Sequence, residues 1–154
     1  MTAPSGDQLV EMMNGAMAST IPIAGKMGVK VVEARPGFAA TTVPAEGNGN
    51  HFGVIYAGVL FTVAEVLGGI IPLITFDRAK YFPLVKKLDI DFVAMAKSDV
   101  RAEASLEEDT IARVEAEAAQ RGKADFTLEA VVTDSDGQTV ATTRGLYQLR
   151  AIGS

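Results

Sequence analysis

Apolar and polar positions in this chain follow two periods. Near the N-terminus, in MTAPSGDQLVEMMNGAMAST, Leu9, Val10, Met13 and Met17 recur at helical spacing, with Ser5 and Asp7 as possible caps. The pattern predicts a short amphipathic helix within residues 1–20. MGVKVVEAR (27–35) and FAATTVPA (38–45) are rich in strand-forming residues and are separated by the turn signal Pro36-Gly37. Pro44 closes the second run. LVKKLDIDFVAMA (84–96) alternates Leu88, Ile90 and Phe92 against Lys87, Asp89 and Asp91, which predicts a strand. After a turn at Ser98-Asp99, VRAEASL (100–106) returns as another. FTLEAVVTD (126–134) and QTVATTRGLYQLR (138–150) flank Ser135-Asp136-Gly137 and predict a hairpin. EEDTIARVEAEAAQR (107–121) fits a short helix or continued strand pairing. The alternation within IARVEAEAAQ favours a strand through 111–119.

One segment obeys neither period. VIYAGVLFTVAEVLGGIIPLITF (54–76) is apolar throughout, and its single charge, Glu65, lies near the middle. It has the length of a membrane span, which needs about 20 apolar residues. A central carboxylate would cost a few kcal/mol there on insertion scales. Gly58, Gly68, Gly69 and Pro72 weaken an isolated helix further, and neither flank carries a basic cluster. The segment therefore predicts a helix from about Tyr56 to Ile71, apolar all round because it is buried all round. Pro72 is expected to stop it or to begin an irregular last turn.

With strands on both sides of one apolar helix, the chain is expected to form an α+β domain whose curved antiparallel sheet wraps that helix. It reads as a single domain over 1–154, with the core at 25–150. The edge strands of such a sheet call for a cover or for pairing across a dimer.

The 154 residues are 48% hydrophobic and 21% charged, a globular composition, with 14 Lys plus Arg against 19 Asp plus Glu and a net charge of -5. No basic patch with interleaved aromatics points to nucleic acid. The chain has no cysteine and one histidine, His51, so neither thiolate chemistry nor a zinc site is expected. The absence of a signal-peptide pattern and of disulfides fits a cytoplasmic protein.

The run Asn50-His-Phe-Gly53-Val-Ile-Tyr56-Ala57-Gly58 through Glu65 resembles the signature of hotdog-fold thioesterases of the PaaI type. In that pattern an Asn and a Gly lead to a His-Gly-Gly helix start, followed by an apolar run ending in Ala-Asp or Ala-Glu. KKLDIDFVAMAKSDVRAEA is similar to the strand after the helix in that family, and GKADFTLEAVVTDSDGQTVATTRGLYQLR to its last hairpin. The similarity spans residues 25 to 150 and is nearest to the YiiD C-terminal and DUF4442 branch. It implies a hotdog fold, a homodimer or dimer of dimers, and a thioester substrate carried by coenzyme A or an acyl-carrier protein. No cofactor is implied beyond the coenzyme A of the substrate. Asn50, Gly53, Gly58 and Glu65 occupy matched positions. Three positions depart: Tyr56 stands in place of the His, Ala57 in place of the first Gly, and Val85 where relatives carry Ser or Thr.

In that frame Glu65 is the candidate base or nucleophile, since burial disfavours its charged form and brings it toward neutral pH. The free N–H groups at the helix start, approached closely at Gly58, suit a developing oxyanion. Asn50 orients water or the carbonyl, or is only a turn residue. Tyr56 donates toward the thioester, or packs and gates the acyl channel, with Ala57 and Gly53 beside it. Glu65 lies two turns beyond Gly58, about 10.5 Å along a helix rising 1.5 Å per residue. It is therefore badly placed to serve its own helix start, and two antiparallel helices in a dimer would make a composite site. Lys86, Lys87 and Lys97 are the cations available to an acidic carrier protein. A binding module without catalysis is the competing expectation, motivated by Tyr56, Ala57 and Val85.

Overall fold

The computed structural model describes residues 2–154. Helix α1 runs Gly6–Thr20, and Ser5 closes a reciprocal capping box with Gln8 at its start. Leu9, Met13 and Met17 are its buried stripe. A short helix, α2 (Pro22–Met27), not expected from the sequence, follows and takes in Met27, the first residue of the expected strand, and Gly28 ends it in the left-handed region at φ 83°. Pro22 at the first helical position and Gly28 just past the end are the residues that bound such a helix.

The sheet has six strands in the order β1-β2-β4-β5-β6-β3, with every neighbouring pair antiparallel. They are β1 (Lys30–Arg35), β2 (Phe38–Val43), β3 (Tyr81–Phe92), β4 (Val100–Ser105), β5 (Lys123–Thr133) and β6 (Thr139–Ala151). The alternation read from the sequence is visible in the burial of β5, whose Ala124, Phe126, Leu128, Ala130 and Val132 all face inward. The β5–β6 hairpin closes as expected. Gly137 takes φ 82°, and the Asp134 carboxylate accepts from the N–H groups of Asp136 and Gln138.

Residues 57–75 form the central helix, around which the sheet curls. They are apolar enough to cross a membrane by length and composition, with a mean hydropathy of 2.0, yet 56% of that apolar window is buried inside the fold. The helix has two segments, α3 (Ala57–Glu65) and α4 (Leu67–Thr75), separated by a turn at Val66. Pro72 does not stop it. The helix continues to Thr75, and the N–H of Phe76 bonds the carbonyl of Pro72 at 2.9 Å. Burial of Leu67, Ile70, Ile71 and Pro72 itself outweighs the missing proline donor.

Residues 107–121 also correct an expectation. They form helix α5 (Glu108–Arg121), not a strand. Ala and Glu are strong helix formers, and Val114 and Ala118 bury at i, i+4 spacing while the other side stays exposed. Glu108 and Asp109 in the first turn, Arg121 in the last and left-handed Gly122 beyond it complete a standard pair of helix ends.

The two sheet edges differ. On β1, Asn14 from α1 donates to the carbonyl of Val31 (2.9 Å) and accepts from its N–H (2.8 Å), beside an irregularity between Val31 and Glu33. A side-chain amide thus occupies the groups that a further strand would use. β3 has no such cover. Val85 is 49% exposed and Phe92 51%, and Val93 and Met95 continue the apolar surface beyond it. Pro83 within β3 is itself typical of an edge strand.

Candidate active site at the central helix

The start of α3 is positioned by the loop before it. The side chain of Asn48, 9% exposed, donates to the carbonyls of Met27 (2.7 Å) and Pro44 (2.8 Å), while its own carbonyl accepts from the N–H of Tyr56 at 2.9 Å. The N–H of Ile55 bonds the carbonyl of Ala96 at 2.9 Å. These bonds tie the helix start to α2, β2 and the segment after β3. Asn48 escaped the sequence reading because EGNGN looks like a generic turn, and burial alone separates it from Asn50.

Asn50 folds a tight loop. Its side-chain oxygen accepts from the N–H of Phe52 (2.9 Å) and of Val54 (3.3 Å), and its carbonyl accepts from the N–H of Gly53 (3.0 Å). Gly53 has φ 76°, a conformation that suits glycine. The turn reading of both residues therefore has direct structural support. His51 and Phe52 are exposed at the loop tip, with their rings 4.0 Å apart.

Tyr56 is the N-cap of α3 and makes no side-chain capping bond. Its ring turns back onto the helix, so that a Cβ at Gly58 would lie 2.6 Å from Tyr56 Cε2. The ring is 58% exposed and has room to move. Ala57 and Gly58 begin the helix, where N–H groups have no carbonyl one turn back to accept them. Tyr56, Ala57 and Gly58 thus sit together, with Gly53 and Asn50 in the loop behind them.

Glu65 stands apart, at the far end of α3. It is half-buried, and burial raises its pKa above the ordinary carboxylate value with no cation to offset it. No buried side-chain nitrogen or oxygen among the described residues lacks a partner, and Glu65 makes no side-chain hydrogen bond. Its carboxylate oxygens must therefore reach solvent. Next to it, Tyr147 is 2% exposed, its hydroxyl is directed at the Glu65 carbonyl at 3.4 Å, and its pKa is pushed up by burial and by the charge of Glu65. The Tyr147 ring fits a slot lined by Gly68 and Gly145 and stacks on Phe126 with centroids 5.7 Å apart. Val85 pairs with Tyr147 across β3 and β6, next to a register shift between Val85 and Lys87.

Within one chain the helix start and the Glu65 carboxylate thus lie at opposite ends of α3. Among the described residues no three His, Asp or Glu side chains come together as metal ligands. Of the three lysines considered for a carrier protein, Lys86 pairs with Asp125 at 2.9 Å and Lys87 with Asp89 at 3.3 Å.

Comparison with known proteins decides the family. Residues 9–147 match the domain of unknown function DUF4442. The chain belongs to the DUF4442 family. A Pseudomonas aeruginosa protein of unknown function, PA5026, described as a probable thioesterase, is similar in both sequence and structure. The two are 40% identical over 92% of this chain and 95% of that one, with a TM-score of 0.86. At lower identity the fold alone is shared. The Haemophilus influenzae thioesterase HI1161 superposes with a TM-score of 0.76 at 13% identity, over 94% of this chain and 92% of that one. A Chlorobaculum tepidum protein of unknown function superposes at 0.84 with 18% identity, over 96% and 98%. No curated protein matches this DUF4442 chain. Its six-stranded antiparallel sheet curled about a long helix is the hotdog fold of these thioesterase-like relatives.

Proposed function

We propose that this DUF4442 protein is an acyl-CoA thioesterase acting at a composite site between two copies of the chain, in the cytoplasm. Glu65 of one copy serves as base toward water, or as nucleophile toward the acyl carbonyl. The N–H groups around Gly58 of the second copy hold the developing oxyanion. The observation that carries this reading is the Glu65 carboxylate, raised in pKa by burial alone, without a partner and still open to solvent. Such a group holds a proton more readily than a free carboxylate, because burial disfavours its charge and no cation offsets that.

Two further features support a second copy. Glu65 is separated from its own Gly58 by about 10.5 Å of helix at 1.5 Å per residue. The β3 edge is long, carries exposed Val85 and Phe92 and is uncovered among the described residues, whereas Asn14 blocks the β1 edge. Two β3 strands side by side would continue the sheet across a two-fold axis and bring the two central helices alongside each other. Coenzyme A enters as part of the substrate, and no other cofactor takes part.

In the base route, Glu65 takes a proton from water as the oxygen attacks the thioester carbon, and the collapsing intermediate expels coenzyme A thiolate. In the nucleophile route, the carboxylate attacks the acyl carbon and expels coenzyme A thiolate, and water then cleaves the resulting mixed anhydride to the free acid and the Glu65 carboxylate. Tyr56, Ala57 and Gly53 border the place where the substrate carbonyl would sit. The Tyr56 ring over Gly58 favours a second reading, in which the helix start is covered and the protein binds acyl-CoA without hydrolysing it.

Thiol release from a panel of acyl-CoAs, with wild type beside Glu65→Gln, separates the two readings. Turnover in the wild type that is lost in a still-dimeric variant supports the thioesterase. Saturable binding without turnover on any member supports the binding module.

A further inference from the structure

We propose that Thr41 and Tyr147 are positioning residues that grip the central helix from opposite sides and set the direction of the Glu65 side chain. This rests on the thioesterase reading of Glu65. Thr41 lies on β2, is fully buried, and donates its hydroxyl to the carbonyl of Val63 at 2.6 Å. Tyr147 lies on β6 and directs its hydroxyl to the carbonyl of Glu65 at 3.4 Å. β2 and β6 are separated by two strands in the sheet. The two carbonyls are two residues apart, hence about 200° apart around a helix that turns 100° per residue. Turning the helix about its axis would move the Val63 carbonyl off the Thr41 hydroxyl and the Glu65 carbonyl off the Tyr147 hydroxyl, so the pair marks one rotational setting of the helix.

The helix bears the mark of that grip. It is interrupted at Val66, directly after the two gripped residues. The Val66 carbonyl accepts from both Gly69 (3.1 Å) and Ile70 (3.0 Å), a local tightening toward three-residue spacing. Side chains that insert into a helix ladder are a recognised cause of such breaks. The slot for the Tyr147 ring is built on both walls, since a Cβ at Gly68 would lie 1.8 Å from Cε1 and one at Gly145 would lie 2.4 Å from Cε2. Simple core filling would not call for two glycines facing one phenol, nor for a hydroxyl on a fully buried strand residue where Val would fit.

The test deletes hydroxyls while keeping shape, in Thr41→Val, Tyr147→Phe and the pair together, with Thr41→Ser as the rescue. Because a misaimed reacting group costs rate more than affinity, each single deletion is expected to lower kcat by about tenfold with KM held within a factor of two. Thr41→Ser should restore kcat. A merely structural role predicts a lower Tm with kcat unchanged in the folded protein, and that result overturns the proposal. An activity-free readout accompanies it: the Glu65 carboxyl titration followed by carbon NMR. Freeing the helix to turn changes how deeply the carboxylate is buried, so its midpoint should shift in both single variants, and an unmoved midpoint in both counts against the grip. If the wild type hydrolyses nothing, the thioesterase reading fails by itself and the titration alone judges the grip. If the double variant does not fold, the single variants and Thr41→Ser carry the same comparison.

Discussion

Two adjacent glycines in α4 should respond to the same substitution with opposite signs. Helix propensity alone predicts that Gly→Ala within a helix stabilises by about 1 kcal/mol. At Gly69 nothing lies within 4 Å of the added methyl, so Gly69→Ala should realise that gain. At Gly68 the methyl would fall 1.8, 2.1 and 2.5 Å from three ring carbons of Tyr147. The ring has no free space to retreat into, because Gly145 and Phe126 hold its other sides. Overpacking of this kind costs about 1–3 kcal/mol, and displacing a fully buried aromatic adds a share of the roughly 1.5–3 kcal/mol its burial contributes. Gly68→Ala is therefore expected to lose about 3 kcal/mol net, against a gain of about 1 kcal/mol for Gly69→Ala. At about 2–4 °C per kcal/mol for a chain of this size, Tm should fall by roughly 6–12 °C in one case and rise by roughly 2–4 °C in the other. Thermal unfolding followed by circular dichroism at one fixed protein concentration reads both, since a dimer makes Tm concentration-dependent. Equal shifts for the two variants would refute the packing of Tyr147 described here.

Further outcomes follow from the same structure. Glu65→Gln should abolish turnover yet stabilise the fold at neutral pH. The folded pKa of Glu65 lies above its unfolded value of 4.5, so its burial favours folding below that value and the advantage is lost as pH rises through the folded pKa. Comparing urea midpoints of wild type and variant at pH 4 and pH 7.5 should show the gap opening only at the higher pH. A wild-type rate that rises with pH along an acid limb lying above the ordinary carboxylate range is the kinetic counterpart. Asn14→Ala leaves both backbone groups of Val31 without their partner and should cost about 1–3 kcal/mol in denaturant unfolding. Charging the open edge through Val85→Lys with Phe92→Lys should yield a folded monomer by analytical ultracentrifugation, with no thioesterase activity.

What the sequence made legible is what is encoded locally. The α1 stripe of Leu9, Met13 and Met17, the Pro36-Gly37 turn and the Ser135-Asp136-Gly137 hairpin are each written within a few residues, and each stands as read. The apolar run with one carboxylate identified the central helix for the same reason. α5 was misread because Ala and Glu in alternation imitate a strand, although their intrinsic preference is helical. The break at Val66 was illegible in principle. The residues that contact the carbonyls just before it, Thr41 and Tyr147, lie far from it in sequence and reach the helix only through the sheet. Asn14 and Asn48 escaped for a related reason, since an asparagine that satisfies distant backbone looks in sequence like one that makes a turn. Of the proposed site, Glu65 and the Tyr56–Gly58 helix start could be picked out in sequence because both fall on one apolar run, and the length of helix between them is why a second copy is invoked.

The composite site is tested most directly by mixing two inactive variants, Glu65→Gln and Gly58→Val, unfolding them together and refolding them into hybrids. If Glu65 of one copy acts at the helix start of the other, each hybrid dimer regains one intact site of its two. Random pairing makes half the dimers hybrids, so thiol release should recover to about a quarter of the wild-type rate. If hybrids form and no activity returns, Glu65 and Gly58 must act within one chain, and the composite site is wrong.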